Sequence, residues 1–159
     1  VTWYDWNLDK PRMDLLEFTR RLIRFRRGHP ILMNRKFFQG RPIRGTDIKD
    51  ISWFSPAGVE MTDEEWTSAE IRTMGFQLSG QSIEVRHLDE EILADVTLLI
   101  VLNAHASSVA FRLPENRSGR WGLLMDTNAT DIWASSAIFP SGTSVKVGGR
   151  SVMVLRYVP

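Results

Sequence analysis

The chain has 159 residues, 43% hydrophobic and 25% charged, with a formal net charge of +1. That length suffices for one ordinary domain burying roughly 70% of its extended-chain surface, and falls short of the about 250 residues a (β/α)8 barrel needs. The near-zero charge makes no electrostatic case for nucleic acid or an anionic membrane, and no apolar run reaches the length of a membrane span. The lack of cysteine excludes a disulfide scaffold or thiolate-bound metal and fits a reducing compartment. The chain opens on Val1 rather than Met, which points to a processed or excised piece.

Val1–Asp9 is aromatic and polar by turns, with Trp3, Tyr4 and Trp6. Asp9 is placed as a helix N-cap, and Pro11 falls in the first turn, where its missing N–H costs nothing. Leu15, Phe18, Leu22 and Phe25 recur at spacings of three and four, flanked by Leu16 and Ile23. This pattern predicts a helix over residues 11–27 with one broad buried face. Glu17 precedes Arg20 and Arg21 at the spacings of a surface ion pair. Arg24, Arg26 and Arg27 match the negative end of the helix dipole, and Gly28 with His29-Pro30 stops the helix. A solvated, dipole-matched face accounts for these arginines better than a phosphate-binding cluster. Left uncovered, Leu15, Phe18, Leu22 and Phe25 would drive self-association.

Residues 31–71 read as an irregular connecting segment, with short strands at Phe37-Phe38 and Ile51–Phe54. Thr62 followed by Glu65 matches a capping box, which starts a turn of helix there. The five acids between Glu60 and Glu70 read as a solvated loop. From Arg72 the pattern shifts to period two and short apolar runs. Candidate strands are Thr73–Leu78, Ile83–Leu88, Val96–Asn103, Ser108–Leu113, Trp121–Asp126, Thr143–Val147 and Arg150–Val158. Strands at this spacing predict an antiparallel β-sandwich domain over residues 72–159. Leu98–Leu102 is apolar on both faces and reads as the central strand, with Leu98, Ile100 and Leu102 buried. Gly148-Gly149 reads as a hairpin turn.

Six Trp and eight Phe stand beside two Tyr. An indole face can stack on the C–H face of a pyranose, so Trp3, Trp6, Trp53 and Trp66 are the candidate substrate-binding residues. Core packing explains each of them as well. The three His are scattered without a metal-binding spacing, and neither a phosphate loop nor a nucleophile elbow appears. No metal and no cofactor are expected.

The strongest resemblance lies in residues 36–66. Lys36-Phe37-Phe38-Gln39-Gly40-Arg41-Pro42-Ile43 leads into Asp47-Ile48-Lys49-Asp50-Ile51-Ser52-Trp53, and Glu60-Met61-Thr62-Asp63-Glu64-Glu65-Trp66 follows a Pro56-Ala57-Gly58 turn. This stretch resembles the segment after the catalytic barrel in bacterial glycogen debranching enzymes of the isoamylase type, in the α-amylase superfamily. Trp3–Asp9 is similar to the entry to the last barrel helix, and Leu15–Ile23 through His29-Pro30 to that helix and its stop. Leu102-Asn103-Ala104-His105, Phe111–Pro114, Trp121, Asp126-Thr127 and Gly149–Leu155 resemble the family's C-terminal β domain.

The resemblance implies a remnant of the barrel's end over residues 1–30, the connecting segment over 31–71 and the C-terminal domain over 72–159. It implies an α-1,6-glucosidase of the bacterial cytoplasm acting on glycogen branch points, with α-glucan as partner of the parent enzyme. In that superfamily the nucleophilic Asp follows an Arg by two positions at a strand end, and a third carboxylate directly follows a His. Here Arg12-Met13-Asp14 lies within the predicted helix, and His29, His87 and His105 are followed by Pro30, Leu88 and Ala106. The chain is therefore expected to carry no catalytic residue of the family and to be inactive alone. The rival reading is a free-standing carbohydrate-binding β-sandwich module. It draws on the tryptophans but does not explain the helix ahead of the strands.

Overall fold

The computed structural model describes residues 6–34, 37–43, 45–80, 96–115, 118–133 and 136–159. The chain divides into two compact units, Val1–Lys36 and Phe37–Pro159.

Among its described residues the first unit holds one α-helix, α1 (Lys10–Arg27), and a 3-10 turn at Pro30–Met33. Asp9 caps α1, its carboxylate accepting from the Arg12 backbone N–H at 3.1 Å. Lys10 pairs with Asp14 at 3.0 Å and Arg21 with Glu17 at 3.4 Å, both one turn apart. The helix ends where Gly28 donates back to Arg24 O at 2.9 Å and His29, ahead of Pro30, turns extended. Gly28 keeps a right-handed φ of −78°, so the proline, not a left-handed glycine, sets the stop. None of the residues of α1 is buried. Of the expected apolar face, Phe18 and Phe25 are half-buried, whereas Leu15 and Leu22 are 63% and 39% exposed.

The second unit is built from β1 (Ile51–Phe54), α2 (Asp63–Thr67), β2 (Thr73–Leu78), β3 (Leu98–Asn103), β4 (Val109–Arg112), β5 (Arg120–Asp126), β6 (Ile138–Pro140), β7 (Ser144–Val147) and β8 (Ser151–Val158). Six strands form one antiparallel sheet in the order β1-β2-β3-β8-β5-β6, and β4 pairs with β7 in a second. The fold is mainly antiparallel β with one long helix before it, as expected.

Period-two alternation decides what each face carries. The register lines up Phe54, Gly75, Val101 and Met153 across four strands. That row joins Leu99, Leu155 and Trp121 in one core with Phe111, Leu113, Val145 and Val147 from the β4–β7 side. Gly75 explains how the layers close. A Cβ there would lie 2.6 Å from Cζ of Phe111, so only glycine lets that ring lie against the sheet. The opposite face carries a second row, Trp53, Phe76, Ile100 and Val154. β3 is thus apolar on both sides, and Leu98, Leu99 and Val101 are fully buried.

Buried Asn103 ties the two sheets together. Its side-chain oxygen accepts from Thr73 Oγ1 at 2.8 Å and His105 N at 2.9 Å, and its Nδ2 donates to Ser107 O at 3.1 Å and Gly148 O at 2.7 Å. One side chain thereby satisfies backbone groups of the loop after β3 and of the crossing from β7 to β8.

Several expectations are corrected. Gly148-Gly149 is not a hairpin turn, because β7 belongs to the small sheet and β8 to the large one. The glycines serve close approach there: a Cβ on Gly148 would meet the Asn128 side chain, and one on Gly149 the Ala106 carbonyl. Arg150 takes the left-handed turn, with φ at +51°. Leu102 is 36% exposed rather than buried, because its row ends on half-buried Met74 and Val152. Phe37-Phe38 forms no strand, and Phe37 is 95% exposed. The short strand expected at Ile51–Phe54 does form, as β1, and it pairs with β2. The expected strand Ile83–Leu88 lies outside the described residues.

Candidate functional site

Of the four tryptophans singled out from sequence, the structure brings together two. Trp53 projects from β1, and its register partner on β2 is Phe76. Their ring centroids lie 5.1 Å apart at 42°. Trp66, on α2, meets Trp53 at 5.3 Å and 77°, an edge-to-face pair. The three rings form an aromatic cluster on the large sheet's face away from β4 and β7, at the β1 edge. Trp6 is 76% exposed and belongs to the first unit. Trp3 lies outside the described residues. Trp121, by contrast, is a core residue, fully buried and edge-to-face with Tyr157 at 5.5 Å.

Local sequence sets the cluster's geometry. Ser55 N bonds Val59 O at 2.9 Å around the Pro56-Ala57-Gly58 turn, and Met61 N bonds Trp53 O at 2.9 Å, folding residues 59–61 back along β1. Gly58 takes φ of +78° there, a conformation side-chain-bearing residues rarely adopt. The capping box then starts α2: Glu65 N donates to Thr62 Oγ1 at 3.3 Å, and Thr62 N donates to Glu65 Oε2 at 3.0 Å. Trp66 follows directly, so its ring is placed by a fixed helix start. Sequence reading found this box but missed Phe76. Its partnership with Trp53 depends on the β1–β2 register, which no local pattern announces.

The polar surroundings are acidic. Lys49 pairs with Glu60 at 2.6 Å, and Asp63 and Glu64 are exposed on the first turn of α2. The Glu64 carboxyl lies below its ordinary value, because its own backbone N–H and the Thr62 hydroxyl hydrogen-bond the charged form. Elsewhere, Arg12 and Asp14 both sit on α1, with Asp14 paired to Lys10. Among the described residues, no three His, Asp or Glu side chains gather as a metal would require. Nor is any helix among them long and apolar enough to cross a membrane.

These features define an antiparallel two-sheet module with an aromatic cluster at one edge. Residues 50–156 match the family described as isoamylase, C-terminal, and the chain belongs to that family. The likeness extends beyond the matched region. Over 158 residues the chain is 33% identical to a "Glycogen operon protein GlgX homolog" of Mycobacterium bovis, covering 98% of this chain and 22% of that protein. It is 23% identical over 154 residues to an isoamylase of Flavobacterium sp, covering 96% of this chain and 19% of the relative. It is 30% identical over 131 residues to a glycogen debranching enzyme of Dickeya chrysanthemi, covering 82% and 16%. The chain thus spans about a fifth of the relatives' length. The resemblance to the C-terminal portion of isoamylase-type debranching enzymes, read from residues 36–66 and the β region, is borne out.

Proposed function

We propose that the chain is the C-terminal part of a glycogen-debranching α-1,6-glucosidase of the bacterial cytoplasm and contributes structure rather than catalytic groups. The observation that carries this reading is the extent of the likeness: it runs through α1 and the connecting segment as well as the β unit. A free-standing binding module would need only the second unit, so that alternative is not favoured. In the parent enzyme, two carboxylates outside this chain act on the α-1,6 bond at a glycogen branch point, one as nucleophile and one as acid and base in a retaining double displacement. α1 is the last helix of the barrel that holds them. Its exposed Leu15 and Leu22 support this, since an amphipathic helix of this kind covers the outside of a sheet or barrel.

The test is activity on glycogen, pullulan and a branched limit dextrin, read as released reducing ends. Residues 1–159 alone are expected to release none, because cleavage needs a proton donor and an opposed carboxylate held across the sugar. The product of the reading frame extended upstream of Val1 is expected to turn over. Branch-point hydrolysis by the chain alone, free of contaminating enzyme, would contradict the proposal.

A further inference from the structure

We propose that Trp66, braced by Trp53 and Phe76, is a stacking platform for glucose units of an α-glucan chain. The proposal rests on the debranching reading for the identity of the sugar; the platform itself rests on geometry.

Exposure along the aromatic row rises toward the β1 edge. Val154 and Ile100 are 4% and 9% exposed, Phe76 and Trp53 are half-buried, and Trp66 on α2 is 47% exposed. The row is closed at its inner end and opens where its side chains are aromatic. There Trp66 meets Trp53 edge-to-face and still keeps nearly half of its surface exposed. The ring is also ordered in advance. The capping box fixes the start of α2, and the Met61–Trp53 backbone bond fixes the strand beneath it. A ligand that stacks on Trp66 therefore need not order a loop, which is a main cost of binding.

Composition separates a sugar from a protein partner. Protein interfaces are depleted in acidic residues at their buried centre. Trp66 instead stands on a five-residue helix with Asp63, Glu64 and Thr67, all exposed and polar. An aromatic face rimmed by hydrogen-bonding groups suits a neutral polyol, which offers a C–H face to the ring and hydroxyls to the rim. The acids disfavour phosphorylated or otherwise anionic ligands. The aliphatic strip of Met74, Leu102 and Val152 on the same sheet face forms no part of the platform.

The experiment is native electrophoresis of the 159-residue chain through gels with and without glycogen. Wild type is expected to be slowed by glycogen. Trp66→Ala is expected to bind about tenfold more weakly, Trp66→Phe to fall between, and Phe37→Ala, at an exposed ring outside the cluster, to match wild type. Thermal melting checks that each variant folds. If Trp66→Ala does not fold, Trp66→Phe decides, together with iodide quenching of wild-type fluorescence, which maltoheptaose is expected to reduce. No retardation of wild type, or equal retardation of wild type and a folded Trp66→Ala chain, would overturn the platform. Equal retardation by a β-linked glucan would overturn its assignment to α-glucan. Slow migration without glycogen that Trp66→Ala relieves would assign the surface to a second copy of the chain and overturn the proposal. Branch-point hydrolysis by the chain would contradict the proposed function and leave this result standing.

Discussion

Helix α1 and strand β3 are both apolar segments, yet the molecule treats them in opposite ways. β3 has partners on every side. Its backbone pairs with β2 and β8, and its alternate side chains enter both faces of the large sheet. α1 is three times as long, with 18 residues against six, and none of its residues is buried. Its caps and ion pairs are in order, so its local structure is specified as well as that of β3. What differs is the partner surface. The β unit carries its own core, whereas the stripe on α1 stays exposed or half-buried. Amphipathic spacing thus reports that a helix face is to be covered, not by what.

The sharpest way to break the contrast is to empty the core under β3. Phe111 is fully buried against Gly75, and Phe111→Ala is expected to cost about 4 kcal/mol, read from urea unfolding followed at the β signal. A change below about 1 kcal/mol would mean that the layers do not close as described.

Next is the tie between the sheets. Asn103→Leu keeps the volume but leaves the Thr73 hydroxyl, the His105 N–H and the Gly148 carbonyl without this partner. A loss of about 3 kcal/mol is expected by the same measurement. A neutral result would show that the crossing from β7 to β8 is held without Asn103, by bonds such as Ser151 Oγ to Gly148 O.

The smallest effect on stability belongs to α1. The double substitution Leu15→Glu and Leu22→Glu is expected to move β-unit unfolding by less than about 0.5 kcal/mol. It should also remove concentration-dependent association in sedimentation, since uncovered apolar faces drive self-contact. Association that persists in the double variant would place the contact elsewhere.

Much of this contrast was legible in the sequence. The spacing of Leu15, Phe18, Leu22 and Phe25 announced α1, and Asp9 and Pro30 its ends. Thr62 and Glu65 announced α2, and the double-sided run Leu98–Leu102 the central strand. What stayed hidden depends on pairing between distant segments. The rows that join Trp53 to Phe76 and set Leu102 beside Met74 follow from register, which periodicity does not contain. Gly148-Gly149 misled because a turn between two sheets and a hairpin use the same residues. β6 escaped because it is a three-residue edge strand ending in Pro140. For the candidate site, sequence named Trp53 and Trp66 but could not separate them from Trp6, since burial and proximity decide that.

Native-state hydrogen exchange on the 159-residue chain tests the central contrast most directly. The amides of Leu99 and Val101 in β3 are expected to exchange only when the whole β unit opens. Those in the middle of α1, from Leu16 to Ile23, are expected to exchange at least about a hundredfold faster, because no buried contact of the helix must be broken first. Equal protection of α1 and β3 would contradict the account, since the helix would then be held by the same cooperative core as the sheet.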